Sequence, residues 1–271
     1  LTILGVDFTS APSRRKQITV AVATLFDDRL TVARVDRFAE FPSFEQMLAT
    51  PGPWVGGFDF PFSMPRELVQ QLGWPTAWPQ LVAHCARIGR DVFVGALEQV
   101  RQSRPYGARY IGRTGDALAG SSSPMKLVNP PVALMFFEGA PRLLHAGLSV
   151  VPCAPSADGR VAVEAYPGFF ARKVTRDSYK KDGPGGTSPS RRAARRLLID
   201  TLLCNEGLTP GIMLTLPTAL RQECIDDGSG DTLDSVICAV QAAVATRQGP
   251  TYGVPPAADP LEGWIVTVPG S

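Results

Sequence analysis

Apolar and polar positions along the chain follow two rhythms, a period of two and a period near 3.6, and the switches between them outline an α/β protein. Residues 3–7, Ile-Leu-Gly-Val-Asp, read as a short buried strand ending in a carboxylate. Residues 17–25, rich in Val, Thr and Ile, read as a second strand, and a turn at Asp27-Asp28 leads into an alternating run at 30–35. A three-stranded antiparallel meander is therefore predicted. Ser43, with Gln46 three positions on, has the form of a capping box and predicts a helix through Leu48, which Pro51-Gly52-Pro53 ends. The next predicted strand, Trp-Val-Gly-Gly-Phe-Asp at 54–59, again closes on an acid.

A helical connection between strands of one sheet normally makes a right-handed parallel crossover, so strand 54–59 should run parallel to one already laid down. If that neighbour is the first strand, Asp7 and Asp59 stand side by side, about 4.8 Å apart. They then lie at the carboxyl ends of parallel strands, where open α/β sheets bind ligands. Residues 61–159 are rich in Pro, Gly and Arg, with helical patterns at 67–72 and 132–146 but no strand rhythm, and read as an inserted cap. Strand character returns at 160–165 and exits sharply at Tyr166-Pro167-Gly168. A flexible loop is predicted at 182–190, a helix at 191–203 with Leu197, Leu198 and Leu202 on one side, and a last helix at 231–247. Trp264 to Val268 reads as a closing edge strand.

Composition narrows the class. A chain of 271 residues, 44% hydrophobic and 19% charged, can bury a large core as one domain with an insertion, which excludes a disordered or fibrous protein. No stretch approaches the roughly 20 apolar residues of a membrane span. The first residues lack a basic region and a cleavage site, and the absent initiator Met suggests a trimmed start. Cys85, Cys153, Cys204, Cys224 and Cys238 are odd in number and contain no CxxC pair, which argues against a disulfide framework or cysteine zinc site and for reducing cytoplasm. Net charge is only +2, but its distribution is uneven. Residues 172–196 carry nine Lys/Arg against Asp177 and Asp182, whereas 223–234 carry five acids and no base.

The acids hold the candidate chemistry. Asp231 and Asp234, at i and i+3 on the last helix, have Cβ atoms about 5 to 6 Å apart on one face. Alone, such a pair is more often a helix-start cap than a ligand set. Asp7 and Asp59 change that balance, because acids at strand ends have no helix terminus to cap. Oxygen ligands without histidine select Mg²⁺ or Mn²⁺ over zinc, and the chain has only His84 and His145. Two such ions can activate a water and stabilise a leaving oxygen at a phosphodiester. Glu164, an acid inside an apolar strand, needs a metal, an Arg or solvent, and is a further candidate ligand.

Basic residues at 172–196, with Lys180, Lys181, Arg191 and Arg192 foremost, can track a phosphate backbone or simply form a solvated helix face. Tyr179 offers a stacking ring beside Lys180. Gly112-Arg113-Thr-Gly115-Asp116 and Ser121-Ser-Ser-Pro-Met-Lys126 read as loops facing substrate, with Arg113 and Lys126 as its contacts. A triad of Ser121 to Ser123 with His145 lacks the G-x-S-x-G elbow, and no stretch fits a phosphate-binding P-loop.

Taken in order, Gly5-Val6-Asp7, Gly57-Phe58-Asp59-Phe60-Pro61, Glu164-Ala-Tyr-Pro167, Asp231-x-x-Asp234-Ser-x-x-Cys-Ala239 and Glu262-Gly-Trp-Ile265 resemble the uncharacterised bacterial and archaeal family of predicted RNase H-like nucleases grouped as domain of unknown function 429. The resemblance implies a single RNase H-like domain over 1–271, carrying the inserted cap at 61–159. Its sheet would have five strands, three antiparallel and then two parallel, flanked by helices, as in resolvases of the RuvC kind. It also brings Asp7, Asp59, Asp231 and Asp234 together as one catalytic metal site. Asp59 departs from the Glu usual on the fourth strand of such resolvases. The expected function is metal-dependent hydrolysis of DNA or RNA by two ions. A phosphoryl-transfer enzyme of the actin-like superfamily and a non-catalytic binding domain on the same fold are the alternatives. Monomer and homodimer both stay open.

Overall fold

The computed structural model describes residues 1–180, 188–204 and 207–270. A mixed sheet forms from β1 (Thr2–Asp7), β2 (Ile18–Phe26), β3 (Arg29–Phe38), β4 (Trp54–Asp59), β5 (Ser149–Val151), β6 (Arg160–Glu164) and β7 (Met213–Thr215). Its order is β5-β6-β4-β1-β2-β3-β7. As the sequence pattern predicts, β1, β2 and β3 are an antiparallel meander and β4 runs parallel to β1; β6 runs parallel to β4, as the family resemblance implies. The sheet has seven strands rather than five. The two additions, β5 and β7, are three residues each, too short for an alternation to register in sequence, and both pair in parallel at the sheet edges.

Helices α1 (Phe41–Leu48), α2 (Arg66–Gln71), α3 (Trp78–Ile88), α4 (Arg90–Ser103), α5 (Thr114–Ala119) and α6 (Val132–His145) precede β5. Helix α1 begins at Phe41, so Ser43 lies inside it; its hydroxyl bonds Glu40, and the expected Ser43–Gln46 capping box does not form. Much of the 61–159 stretch covers one face of the sheet. Phe93, Leu97 and Phe136 share a single core there with Leu4, Val6, Phe8 and Phe58, so the expected cap is a structural layer that also supplies β5. Helices α7 (Pro167–Val174), α8 (Pro189–Cys204), α9 (Thr218–Asp226) and α10 (Asp231–Arg247) bring the apolar side chains that pack against the other face. Pro189 and Ser190 already belong to α8, and the rest of the predicted 182–190 loop, except Ser188, lies outside the described residues. The predicted strand at Trp264 to Val268 is a turn instead. Only Ile265 bridges to Glu164, and Val268 accepts the Trp264 indole N–H.

Helix α10 is buried on all sides from Thr232 to Ala245 and lies on β1, β2 and β4. Two glycines set its distance from the sheet. A Cβ on Gly5 would stand 2.0 Å from the Ser235 carbonyl oxygen and 2.2 Å from the Ala239 nitrogen, and one on Gly57 would stand 2.5 Å from the Cys238 carbonyl oxygen. No side chain fits there, so the helix backbone rests on the strand backbones. Among the described residues no helix is long and apolar enough to cross a membrane.

Candidate metal centre

Strand periodicity places the first two acids. Successive side chains alternate between faces, so Gly5 and Asp7 share the α10 face of β1, and Gly57 and Asp59 share it on β4. The parallel register pairs Gly5 with Gly57 and Asp7 with Asp59. The glycines admit the helix, and one step further along the same face the chain presents carboxylates. On α10, Asp231, Asp234, Ser235, Cys238, Ala239 and Ala242 form one stripe at helical spacing, whose later members touch Gly5 and Gly57. Its first members are therefore carried onto the strand-end acids.

The result is a compact group. One carboxylate oxygen from each of Asp7, Asp59 and Asp234 lies within 4.8 Å of the other two. Asp7 and Asp234 are buried, and Asp59 is partly buried. Asp231 lines the same cleft but stands outside this trio. Neither acid of α10 caps its helix. The N-cap is Gly230, Ser229 Oγ accepts from the Asp231 N–H at 3.2 Å, and Asp227 accepts both the N–H and the hydroxyl of Thr232 at 2.9 and 2.8 Å. Capping by neighbouring residues answers the helix-cap explanation of Asp231 and Asp234. Their position in the first turn still benefits from the helix dipole.

Two side chains hold Asp234. Tyr179 donates its hydroxyl to Oδ1 at 2.8 Å, and the Lys180 ammonium forms an ion pair with Oδ2. Arg195, fully buried on α8, donates to the Tyr179 and Ile225 carbonyls at 2.6 and 2.9 Å and fixes the approach of this segment. Lys16, on the β1–β2 connection, also lines the cleft. The sequence offers no signal for Lys16, and shows Tyr179 only as a ring beside a lysine. Asp227 is legible in retrospect, since Asp-x-Ser-x-x-Thr before an apolar helix is a pattern of side chains that bond nearby backbone.

Burial drives the charge state. It raises Asp7 well above the usual carboxylate range and Asp59 to about 6, against the opposing field of Lys180; Asp231 shifts upward for the same reason. A folded-state pKa above the unfolded value means that the folded protein binds the Asp59 proton more tightly. Stability of the metal-free protein should therefore fall as pH rises from about 4 through 6, by about 2 kcal/mol for this group. Urea midpoints at pH 5 and pH 7.5 measure the slope. Asp59→Asn should flatten it, and an unchanged slope would contradict the assignment.

Glu164 and Arg113 line the cleft but are bound to each other. Arg113 donates Nη1–H to Glu164 at 2.8 Å and to the Glu262 carbonyl at 2.9 Å; Nη2–H donates to Glu164 at 2.5 Å and to Asp116 at 2.8 Å, and Nε–H donates to Asp116 at 2.9 Å. All five guanidinium donors are used inside the protein, which leaves none for the substrate phosphate expected from the sequence. Glu164 also accepts the Phe62 N–H at 2.9 Å. It therefore anchors the wall of the cleft rather than joining the three-carboxylate group. Asp116, held low by Arg113 despite its burial, is the member of this network that sequence reasoning missed as a partner.

The other basic candidates fall elsewhere. Lys126 and Arg191 do not line the cleft, and Arg192 pairs with Asp226 beside a separate shallow pocket on α8. Lys181 lies outside the described residues.

The donor set fits a hard divalent cation. All donors are carboxylate oxygens, one from each residue lying within 4.8 Å of the other two, so the three surround a common point of the kind a hard cation occupies. Partial burial of like charges is the cost that such an ion offsets. Compared with known proteins, the chain matches no family model, no curated protein and no solved structure.

Proposed function

We propose that the chain is a Mg²⁺- or Mn²⁺-dependent hydrolase of phosphodiester bonds in nucleic acid, on an RNase H-like fold. The observation that carries this reading is the convergence of Asp7, Asp59 and Asp234 at the carboxyl ends of β1 and β4. Supporting it are the inner strands β3-β2-β1-β4-β6, whose order and directions are those expected of that fold. Asp7, Asp59 and Asp234 would hold one ion, and Asp231, on the same helical stripe, would contribute to a second. Bound ions supply charge stabilisation and a more acidic water.

The protein's own groups do the rest. Tyr179 and Lys180 orient Asp234, Arg113 and Glu164 stiffen the wall, and Lys16 and Lys180 bring positive charge to an anionic substrate. In the net reaction a water oxygen joins phosphorus, the phosphorus–oxygen bond to one nucleoside breaks, and the departing oxygen gains a proton. The five cysteines are free, four of them buried, which fits a cytoplasmic protein.

Calorimetric titration with Mn²⁺ tests the site, followed by cleavage assays with and without the ion. Asp7→Asn and Asp234→Asn should each weaken Mn²⁺ binding by at least about 100-fold, since even partners outside the ligand set cost about 10- to 100-fold. Cleavage should disappear with it. Wild-type Mn²⁺ affinity in both variants, or full metal-dependent activity in Asp7→Asn, would refute the reading.

A further inference from the structure

The cleft above the carboxylates is small and two-sided. Its volume is about 220 Å³, below the roughly 300 to 1,000 Å³ of most small-molecule sites. Asp7, Asp59 and Asp231 form one side. Phe60, Pro131, Val132 and Met135 give the cleft its apolar lining, beside the polar wall of Arg113, Asp116 and Glu164. That apolar wall is fixed. A Cβ on Gly139 would lie 2.6 Å from the Phe60 ring, so the ring is pressed against the α6 backbone, and Phe8 packs on it at 4.7 Å between centroids.

Cations in the cleft are few. Among the described residues lining it they are Lys16, Lys180 and Arg113, and the Arg113 donors are all used within the protein. Arg191 and Arg192 lie away from it. A duplex is held by phosphate contacts spread along both strands, and the described residues lining this cleft show no such track. One flat apolar group beside one phosphodiester is what its two sides match.

Building on the nuclease reading, we propose that the cleft admits a single nucleotide unit, from a single strand or a frayed end, with its base against the Pro131–Val132–Met135 surface that the buried Phe60 backs, and its phosphodiester toward the carboxylates. Paired substrate must first release that unit, and unpairing sets the selectivity.

The test compares Mn²⁺-dependent cleavage of a single-stranded oligonucleotide, in DNA and RNA forms, with that of a relaxed, covalently closed circular duplex. The better single strand should be cut about 100-fold faster than the circle, as an unpairing cost of about two factors of ten in rate requires. Met135→Trp, which fills the cleft, should slow cleavage of the single strand by about 10-fold or more while Mn²⁺ binding stays at the wild-type level. Val132→Phe provides the same obstruction at the first residue of α6, should the larger substitution disturb folding.

Equal rates on circle and single strand would overturn the proposal and leave the nuclease reading standing. So would wild-type cleavage by both folded variants. Cleavage of neither substrate by Mn²⁺-loaded protein would overturn the nuclease reading, and this proposal with it.

Discussion

Gly5→Ala should destabilise the protein by about 3 kcal/mol or more and lower its melting temperature by about 10 °C. Overpacking usually costs about 1 to 3 kcal/mol because neighbouring side chains rotate away. Here the obstructing atoms are a backbone oxygen at 2.0 Å and a backbone nitrogen at 2.2 Å, and neither can rotate. The whole of α10 must lift instead, along a helix buried from Thr232 to Ala245. For a chain of this size each kcal/mol shifts the melting point by roughly 2 to 4 °C. Gly57→Ala should be milder, its closest obstruction being at 2.5 Å. Gly95→Ala is the control: it lies within α4, its added Cβ would meet nothing within 4 Å, and alanine there should be neutral or stabilising. A Gly5→Ala variant that melts with the wild type would mean that α10 does not rest on β1 at this distance. Lifting α10 also carries Asp234 away from Asp7, so any folded Gly5→Ala protein should bind Mn²⁺ more weakly.

Replacing Arg113 by Met should cost about 3 to 5 kcal/mol, the range for removing one partner from a buried ion pair. Asp116 and Glu164 would remain buried beside each other, 4% and 2% exposed, without the guanidinium that satisfies both. The variant carries its own diagnostic. Without Arg113 the two carboxyls should titrate above their unfolded values, so the folded state takes up protons and the deficit narrows as pH falls from 7.5 to 5. Denaturant midpoints at the two pH values measure this. A deficit that does not change with pH would show that the loss comes from packing alone. Arg113→Lys should not restore stability, because an ammonium cannot serve the contacts that the five guanidinium donors make.

Much of the centre of this molecule is legible in its sequence, for a specific reason. Gly5-Val6-Asp7 and Gly57-Phe58-Asp59 repeat one local instruction, a gap for a helix followed two residues later by an acid on the same face. The stripe from Asp231 to Ala242 is its helical counterpart. Both rest on side-chain periods that short-range sequence carries. What escaped depends on long-range pairing. Strands β5 and β7 exist because an edge was available to three residues, and Trp264 to Val268, with good strand composition, reached only one bridge through Ile265. Arg113 looked like a substrate contact because the sequence could not show Glu164 and Glu262 lying within its reach. The basic run at 172–196 divides for a similar reason: Arg195 turns inward, Lys180 meets Asp234, and Arg192 faces Asp226.

The start of α10 separates two tasks that one aspartate often performs together. Asp227, Ser229 and Gly230 begin the helix, which leaves Asp231 to line the cleft and Asp234 to join Asp7 and Asp59. If these two positions bind a metal as proposed, their donors can be changed without rebuilding the helix start. Histidine at Asp231 offers a direct trial: the helix should persist by circular dichroism, while metal preference moves from Mg²⁺ and Mn²⁺ toward Zn²⁺ or Co²⁺. In such a molecule the choice of ion becomes a trait that can change while the fold stays constant.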